Sequence, residues 1–501
     1  MKLRPLLSLL LAAALLLPGC SSPDTSSSGP EEDMSGGDTS LSGTSIPFAL
    51  AVYPDYSLHP VLAENRANLT LSPLLYEPLF QLDGQFQPQG VLCERSAVSE
   101  DGLTWTFTLR SGVTFSDGTL LTGEVVAEAL NLARQEGSRY AGRLADITSV
   151  TGEETTVTVT LSRANSALPA LLDIPIALGG GDQPAGTGPY VLSGREGSRS
   201  LTARSGWWQD KQLPVQEIPL REMRRADELI SAFSSGSVGL VDVDLMGTNA
   251  LGYSGSYETW DYATTDMLYL GFNTQSGLCA DPQARRALAL AIDRDSVVQT
   301  DYARHAVAAA LPVHPDSPLY SQELAQTLQY NPEALVAQLE ELSLPRRGLT
   351  LLVNSENSAK LAAAQRIAYQ LDAAGVSVTL TALPFEDFTV RLASGDFDLY
   401  LGEVVLTADF DLTALLSPGG ELNYGRWQDG QIVSLLAAFL QAADSARADA
   451  AQALYSYLCQ QMPIAPICFK NGSVLTQWGR LSGLSPIRGN VFYQLENWII
   501  S

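Results

Sequence analysis

Five carboxylates crowd one apolar stretch of this chain. Residues 396–412 read Asp-Phe-Asp-Leu-Tyr-Leu-Gly-Glu-Val-Val-Leu-Thr-Ala-Asp-Phe-Asp-Leu, so Glu403 interrupts a run fit for a buried strand, and Asp409 and Asp411 stand where that strand should end. Carboxylates are costly to bury without a partner. Acids in such places therefore hold something, and the chemistry they suit is capture of the positive end of a ligand. The structural alternatives are a solvated pair at Asp409 and Asp411, and an internal partner for Glu403 such as Arg391 or Arg426. If no cation sits there, one acid should have a raised pKa.

Other chemistry is sparse. There is no GxSxG elbow, no HExxH and no P-loop, and Gly179-Gly180-Gly181 lacks the Lys-Ser/Thr a phosphate loop needs. The three histidines, His59, His305 and His314, are scattered, which argues against a nucleophilic triad and against an imidazole metal site. Catalysis, a bound metal and a cofactor are therefore not expected. Apart from Cys20, the cysteines Cys93, Cys279, Cys459 and Cys468 match no zinc or CxxC spacing, and no disulfide is assigned.

The whole chain must position those acids. Its 501 residues are 45% hydrophobic and 17% charged, as in a water-soluble globular protein, with room for about three domains or sub-lobes. A formal net charge of -25 argues against nucleic acid, because a phosphate-binding surface needs a basic face. At the N-terminus, Lys2 and Arg4 precede the apolar run Leu6 to Leu17, which is too short to span a membrane at about 20 residues. Leu17-Pro18-Gly19-Cys20 resembles the bacterial lipobox, with Pro18 a departure from the usual small residue, and makes Cys20 the expected lipidation site. Residues 21–45 are Ser, Gly, Thr, Pro and acids, a flexible tether with a reach of about 25 to 30 Å.

From Ile46 onward the pattern is globular. Ile46 to Val52 reads as a strand leaving through a proline-rich loop that carries Tyr53. Residues 102–110 alternate apolar and hydroxyl side chains as a half-buried strand, and Thr122 can cap the following helix. Ile147 to Val150 and Thr155 to Leu161 read as a hairpin. Helical patterns over 281–299, 357–374 and 444–461 alternate with apolar strands at 349–353, 377–383 and 463–469, which is an α/β order.

Residues 99–118, Ser-Glu-Asp-Gly-Leu-Thr-Trp-Thr-Phe-Thr-Leu-Arg-Ser-Gly-Val-Thr-Phe-Ser-Asp-Gly, closely resemble the signature of the extracellular solute-binding proteins of family 5, the peptide/nickel type that serves ABC transporters. Gly186-Thr-Gly-Pro-Tyr190, Tyr269 to Thr274, Arg285 to Arg294, Leu349 to Leu383 and Gly395-Asp-Phe-Asp398 are similar to later family segments in the same order. The resemblance implies a two-lobed, periplasmic-binding-protein-like α/β fold of the class II (cluster C) type, with an extra N-terminal sub-domain and a ligand cleft between the lobes. Lobe I would comprise 46–75, 183–265 and 470–501, the inserted sub-domain 76–182, and lobe II 266–469. The chain would cross between lobes near Met267 to Thr274 and Ile464 to Lys470.

The likeness also implies a role. Asp409, in Ala408-Asp409-Phe410-Asp411, stands where peptide-binding members pair an aspartate with the peptide ammonium. Leu406 replaces the tryptophan common before that aspartate, and Glu403 is an added acid, so a peptide-like solute bearing extra positive charge is expected. Tyr53, Asn423, Tyr424 and Trp427 are the further candidates for the cleft wall, whereas Trp207-Trp208 is read as packing. The expected partners are the ligand, the permease subunits and, through the lipid, the membrane, with the protein a monomer. Nickel-chelate or oligosaccharide capture and a sensor role without import are the alternatives.

Overall fold

The alternation in the half-buried strand is realised as a burial pattern: Trp105, Phe107 and Leu109 turn inward from the strand Thr104–Leu109, and its threonines stay at the surface. The computed structural model describes residues 47–341 and 348–501. Cys20, the 21–45 tether and Ile46 lie outside the described residues.

Thr104–Leu109 belongs to a four-stranded antiparallel sheet, in the order Cys93–Val98, Thr104–Leu109, Thr156–Leu161, Ile147–Glu153. The helix Gly123–Ala133 covers one face, its Val126 and Leu130 packing with Phe107, Val157 and Val159. Thr122 occupies the N-cap position of this helix, yet its hydroxyl makes no cap bond; Glu124 in the first turn accepts the amide of Glu154 instead. A second sheet orders Leu50–Val52, Glu217–Glu222, Ser200–Ala203 and Tyr190–Ser193, with the first pair parallel. The opening strand is thus only three residues long.

The largest sheet runs Leu240–Val243, Ile464–Gln477, Tyr257–Phe272, Leu399–Val405, Leu349–Asn354, Val378–Leu383, with Ala306–Ala308 pairing the second of these. Its last three strands are mutually parallel, as the crossover helix Ser358–Ala373 between Leu349–Asn354 and Val378–Leu383 requires. The helix expected over 281–299 is broken into Pro282–Leu290, Arg294–Ser296 and a π-helical turn Val297–Asp301. Asp293 starts the second piece by accepting the amide of Ser296, which is why the pattern is not one rod.

Two strands tie the halves of the molecule together. Tyr257–Ala263 pairs with Asn471–Gln477, and Met267–Gly271 pairs with Ile464–Phe469. Between these ladders the register slips, leaving Thr264, Thr265 and Asp266 opposite Lys470 alone. The sub-domain also touches the large core directly. At the tip of the turn after Phe80–Leu82, Phe86 adopts φ 63° and buries its ring against Phe410 and His314, at centroid distances of 5.4 and 5.1 Å. Cys93, Cys279, Cys459 and Cys468 are all free and buried. Burial pushes the Cys93 and Cys459 thiols up to about 11, so they are inert at neutral pH.

Candidate ligand-binding site

Carboxylates in apolar surroundings gather donors, and the acidic stretch does so within the chain. Asp409 is 3% exposed. Asn165, in the sub-domain, donates its amide to Asp409 Oδ2 at 2.7 Å, and the Thr407 hydroxyl donates to Oδ1. Phe410 follows in the left-handed region at φ 56°, which turns the chain so that the amide of Asp411 also reaches Asp409 Oδ1, at 3.3 Å. Burial raises the carboxyl above its ordinary range against the pull of Thr407 and Asn165. Asp409 is therefore a joint between the sub-domain and the large sheet, not an open carboxylate. Asp411 is engaged too: Arg163 bridges it to Asp146, with Arg163 Nε 2.6 Å from Asp146 Oδ2.

Glu403 faces lysines rather than Arg391 or Arg426. Lys470 Nζ lies 2.7 Å from Glu403 Oε1, 2.9 Å from Asp266 Oδ2 and 3.4 Å from Asp244 Oδ2, and Lys360 Nζ is 3.9 Å from Glu403 Oε2. Arg391 pairs with Asp396, and Arg426 donates to the carbonyl of Ala393. Burial would raise the Glu403 carboxyl, but Lys470 and Lys360 hold it below its usual range. Asp266 takes the other course: burial and the Glu403 charge push it up to about 7 despite Lys470. Asp409 is thus the raised acid expected of this region, and Asp266 is a second one that the sequence pattern did not mark. For Lys470, burial is overcome by the three carboxylates and the amine is held above its ordinary value.

The remaining candidates separate. Tyr53 lines a cavity of about 470 Å³ and donates its hydroxyl to the Arg225 carbonyl at 3.3 Å. Trp427 is buried, and Asn423 holds that loop by accepting the Trp427 amide and donating to the carbonyls of Ser417 and Trp427. Tyr424 packs edge-on against Tyr400. These three are packing residues of the 417–427 loop. Trp208 is packing as well, its indole N–H donating to the buried Glu77 at 2.7 Å.

A cleft of about 1000 Å³ opens among the described residues. Arg66, Asp242 and Tyr262 form one wall, and Arg139, Tyr140, Arg143, Asp146, Arg163 and Asp173 of the sub-domain a second. The third comes from Val404 to Thr407, Asp411 and Glu421, and Arg488 closes one end. Besides the Arg163 pairs with Asp146 and Asp411, its ion pairs include Arg66 with Asp242 at 3.1 Å, and Arg143 and Arg488 with the two oxygens of Asp173 at 2.7 and 3.0 Å. Burial would raise Asp173, but the two guanidinium groups bring it below the ordinary carboxylate range. Arg139 and Arg143 both lie over the Tyr140 ring, 4.6 Å from its centroid. Arg143 Nε and Nη2 are buried without a hydrogen-bond partner. No sequence signal singled out these arginines, since each stands in an unremarkable loop or helix end.

A two-lobed architecture with a charged opening between its parts is what a solute-binding protein needs. The family model for bacterial extracellular solute-binding proteins, family 5 (middle), matches residues 87–421. The chain belongs to this family. A glutathione-binding protein GsiB of Salmonella paratyphi A is 27% identical over 419 residues, covering 77% of this chain and 81% of that protein. Among solved structures, HbpA2 from Haemophilus parasuis superposes with a TM-score of 0.75 at 21% identity, over 90% of this chain and 99% of that one. MppA, a periplasmic murein tripeptide binding protein in its unliganded open form, gives 0.75 at 19% identity, over 90% and 97%. The fold is accordingly the two-lobed α/β fold of these proteins. The protein is an extracytoplasmic solute-binding component of the kind that works with ABC permeases, and the relatives it matches are binding proteins. Among the described residues no helix is long and apolar enough to cross a membrane.

Proposed function

We propose that the protein captures a peptide-like, zwitterionic solute in the 1000 Å³ cleft and passes it to an ABC permease, acting by binding alone, as a monomer tethered through a lipid on Cys20. One observation carries the solute class. The cleft wall holds Arg66, Arg139, Arg143, Arg163 and Arg488 against Asp146, Asp173, Asp242, Asp411 and Glu421, a matched set of charges. A surplus of positive charge on the solute was expected from open carboxylates at Asp409 and Glu403; Asn165, Thr407 and Lys470 occupy both, which removes that demand. Arg139, exposed in the cleft wall and held by Tyr140 rather than by a carboxylate, supports instead an anionic oxygen on the solute, such as a peptide carboxylate. On this proposal, lobe I comprises 46–75, 183–265 and 470–501, the sub-domain 76–182, and lobe II 266–469.

The test is mass spectrometry of solutes co-purified with residues 21–501, followed by calorimetry with each solute found. Arg139 is the residue to change, because it is exposed and touches Tyr140 rather than a carboxylate. A short peptide bound at least about tenfold more weakly by Arg139→Ala supports the proposal. A co-purified sugar, or affinity untouched by Arg139→Ala, refutes it. Release of the Cys20→Ala protein into the medium, with the native protein retained on membranes, tests the lipid.

A further inference from the structure

A second recess, open at the surface, lies beside the cleft. It measures about 470 Å³, within the range of about 300 to 1,000 Å³ typical of small-molecule sites. Its walls are mainly apolar: Leu50 on the opening strand, Ala67 on the short helix Arg66–Thr70, Leu229, Val243 and Leu251, with Tyr53 at one side. None of the buried polar side-chain atoms that lack a hydrogen-bond partner, among the described residues, belongs to this wall. The Tyr53 hydroxyl is spent on Arg225, and Asp244 is committed to Lys470. The recess therefore offers shape and a mainly apolar surface, with Asn65, Thr248 and Asn249 as further polar side chains of its wall.

The recess and the cleft adjoin. Arg66, Thr70 and Asp242 line both, and the partition between them is the Arg66–Asp242 ion pair, braced by the Tyr262 hydroxyl on Asp242 at 2.8 Å. Arg66 is half exposed, so this partition is a side chain that can swing and not a rigid wall. We infer that the recess is a specificity subsite that receives a bulky aromatic or branched aliphatic side chain of the solute whose charged groups occupy the cleft. This rests on the assignment of the cleft as the solute site. Burying such a side chain favours a solute carrying it over its alanine counterpart by roughly tenfold to a hundredfold.

The experiment uses residues 21–501 and two kinds of probe. The first is the set Phe-Ala-Ala, Ala-Phe-Ala and Ala-Ala-Phe, compared with Ala-Ala-Ala by calorimetry. The second is 8-anilinonaphthalene-1-sulfonate, an apolar fluorophore that needs no peptide recognition. Ala226→Trp adds bulk to the wall from an exposed helix position, and Leu251→Asp makes the wall polar from a half-buried loop. The expected result is a preference of about tenfold or more for one phenylalanine peptide, abolished in both variants while Ala-Ala-Ala binds unchanged. Dye binding should fall in parallel. Should the tripeptides fail to bind while dye binding is saturable and lost in both variants, the peptide-like assignment of the cleft fails and the recess stands. A phenylalanine preference that survives both substitutions, or a dye signal that neither variant lowers, overturns the recess.

Discussion

Lys470 Nζ and Glu403 Oε1 lie 2.7 Å apart beside the slipped register of two long strands. The same amine meets Asp266 and Asp244, so three strands or strand ends converge on one buried cation. Three carboxylates share two lysines, and the imbalance is settled by Asp266, which carries a proton up to about pH 7. Lys470→Met leaves that set with only the more distant Lys360. Removing one partner from a buried pair costs about 3 to 5 kcal/mol, and Lys470→Met should lose on the order of 3 kcal/mol of unfolding free energy in urea titration. A loss below about 1 kcal/mol would mean that solvent, not Lys470, compensates the acids.

The protonation of Asp266 sets a pH dependence whose sign follows from linkage. An unfolded aspartate titrates near 3.9, and the folded one near 7. Between these values the native state holds more protons than the unfolded state, so this residue's contribution to stability falls as pH rises, by at most about 1.4 kcal/mol per unit. Asp266→Asn should flatten the decline from pH 4.5 to 7 relative to the native protein. The comparison is made by chemical denaturation at several pH values, and equal slopes for the two proteins would exclude a raised Asp266.

Asp409 is held by Asn165 from a segment 244 residues away, so its substitution should register first as instability. Asp409→Ala strands the Asn165 amide and the Thr407 hydroxyl in a buried site, at about 2 to 3 kcal/mol. Asn165→Ala removes the same bond from the other side and should cost a similar amount. The double variant should cost clearly less than the sum, since both changes delete one contact. Strict additivity in thermal unfolding would show that the two side chains act separately.

Phe86 is the apolar counterpart of that joint. Its ring is 4% exposed among Phe410 and His314, and truncation of a buried phenylalanine costs about 3 to 5 kcal/mol. Phe86→Ala should also raise hydrogen exchange in residues 82–90 and 407–412 above that in the four-stranded sheet. Uniform exchange across the chain would argue for a purely global effect.

The parts of this fold that local chemistry dictates could be read from the chain. Period-two strands such as Thr104–Leu109, the helix Ser358–Ala373 between two apolar strands, and the α/β order follow from spacing, because side-chain period alone decides which face is buried. The site was less legible. Asp409 sits at a strand end as expected, yet its partner Asn165 lies 244 residues earlier, and nothing in either neighbourhood announces the pairing. Glu403 signalled a need for a cation without saying which. The residue that meets it, Lys470, directly follows the apolar run Ile464 to Phe469, and a lysine abutting a buried strand is the one cue that could have been used. The arginines of the cleft come from segments as far apart as Arg66 and Arg488, so only the folded chain assembles them.

The slipped register opposite Lys470 has a mechanical consequence. The ladder between the two strands is interrupted at residues 264–266 and slips again between Leu268 and Tyr269, so the pair acts as a leaf spring thinned over one short stretch. Bending of this strand pair then concentrates in that short stretch and spares the regular ladders beside it. The ladders on either side can thus shift as units, and the hydrogen bonds within each survive the bend.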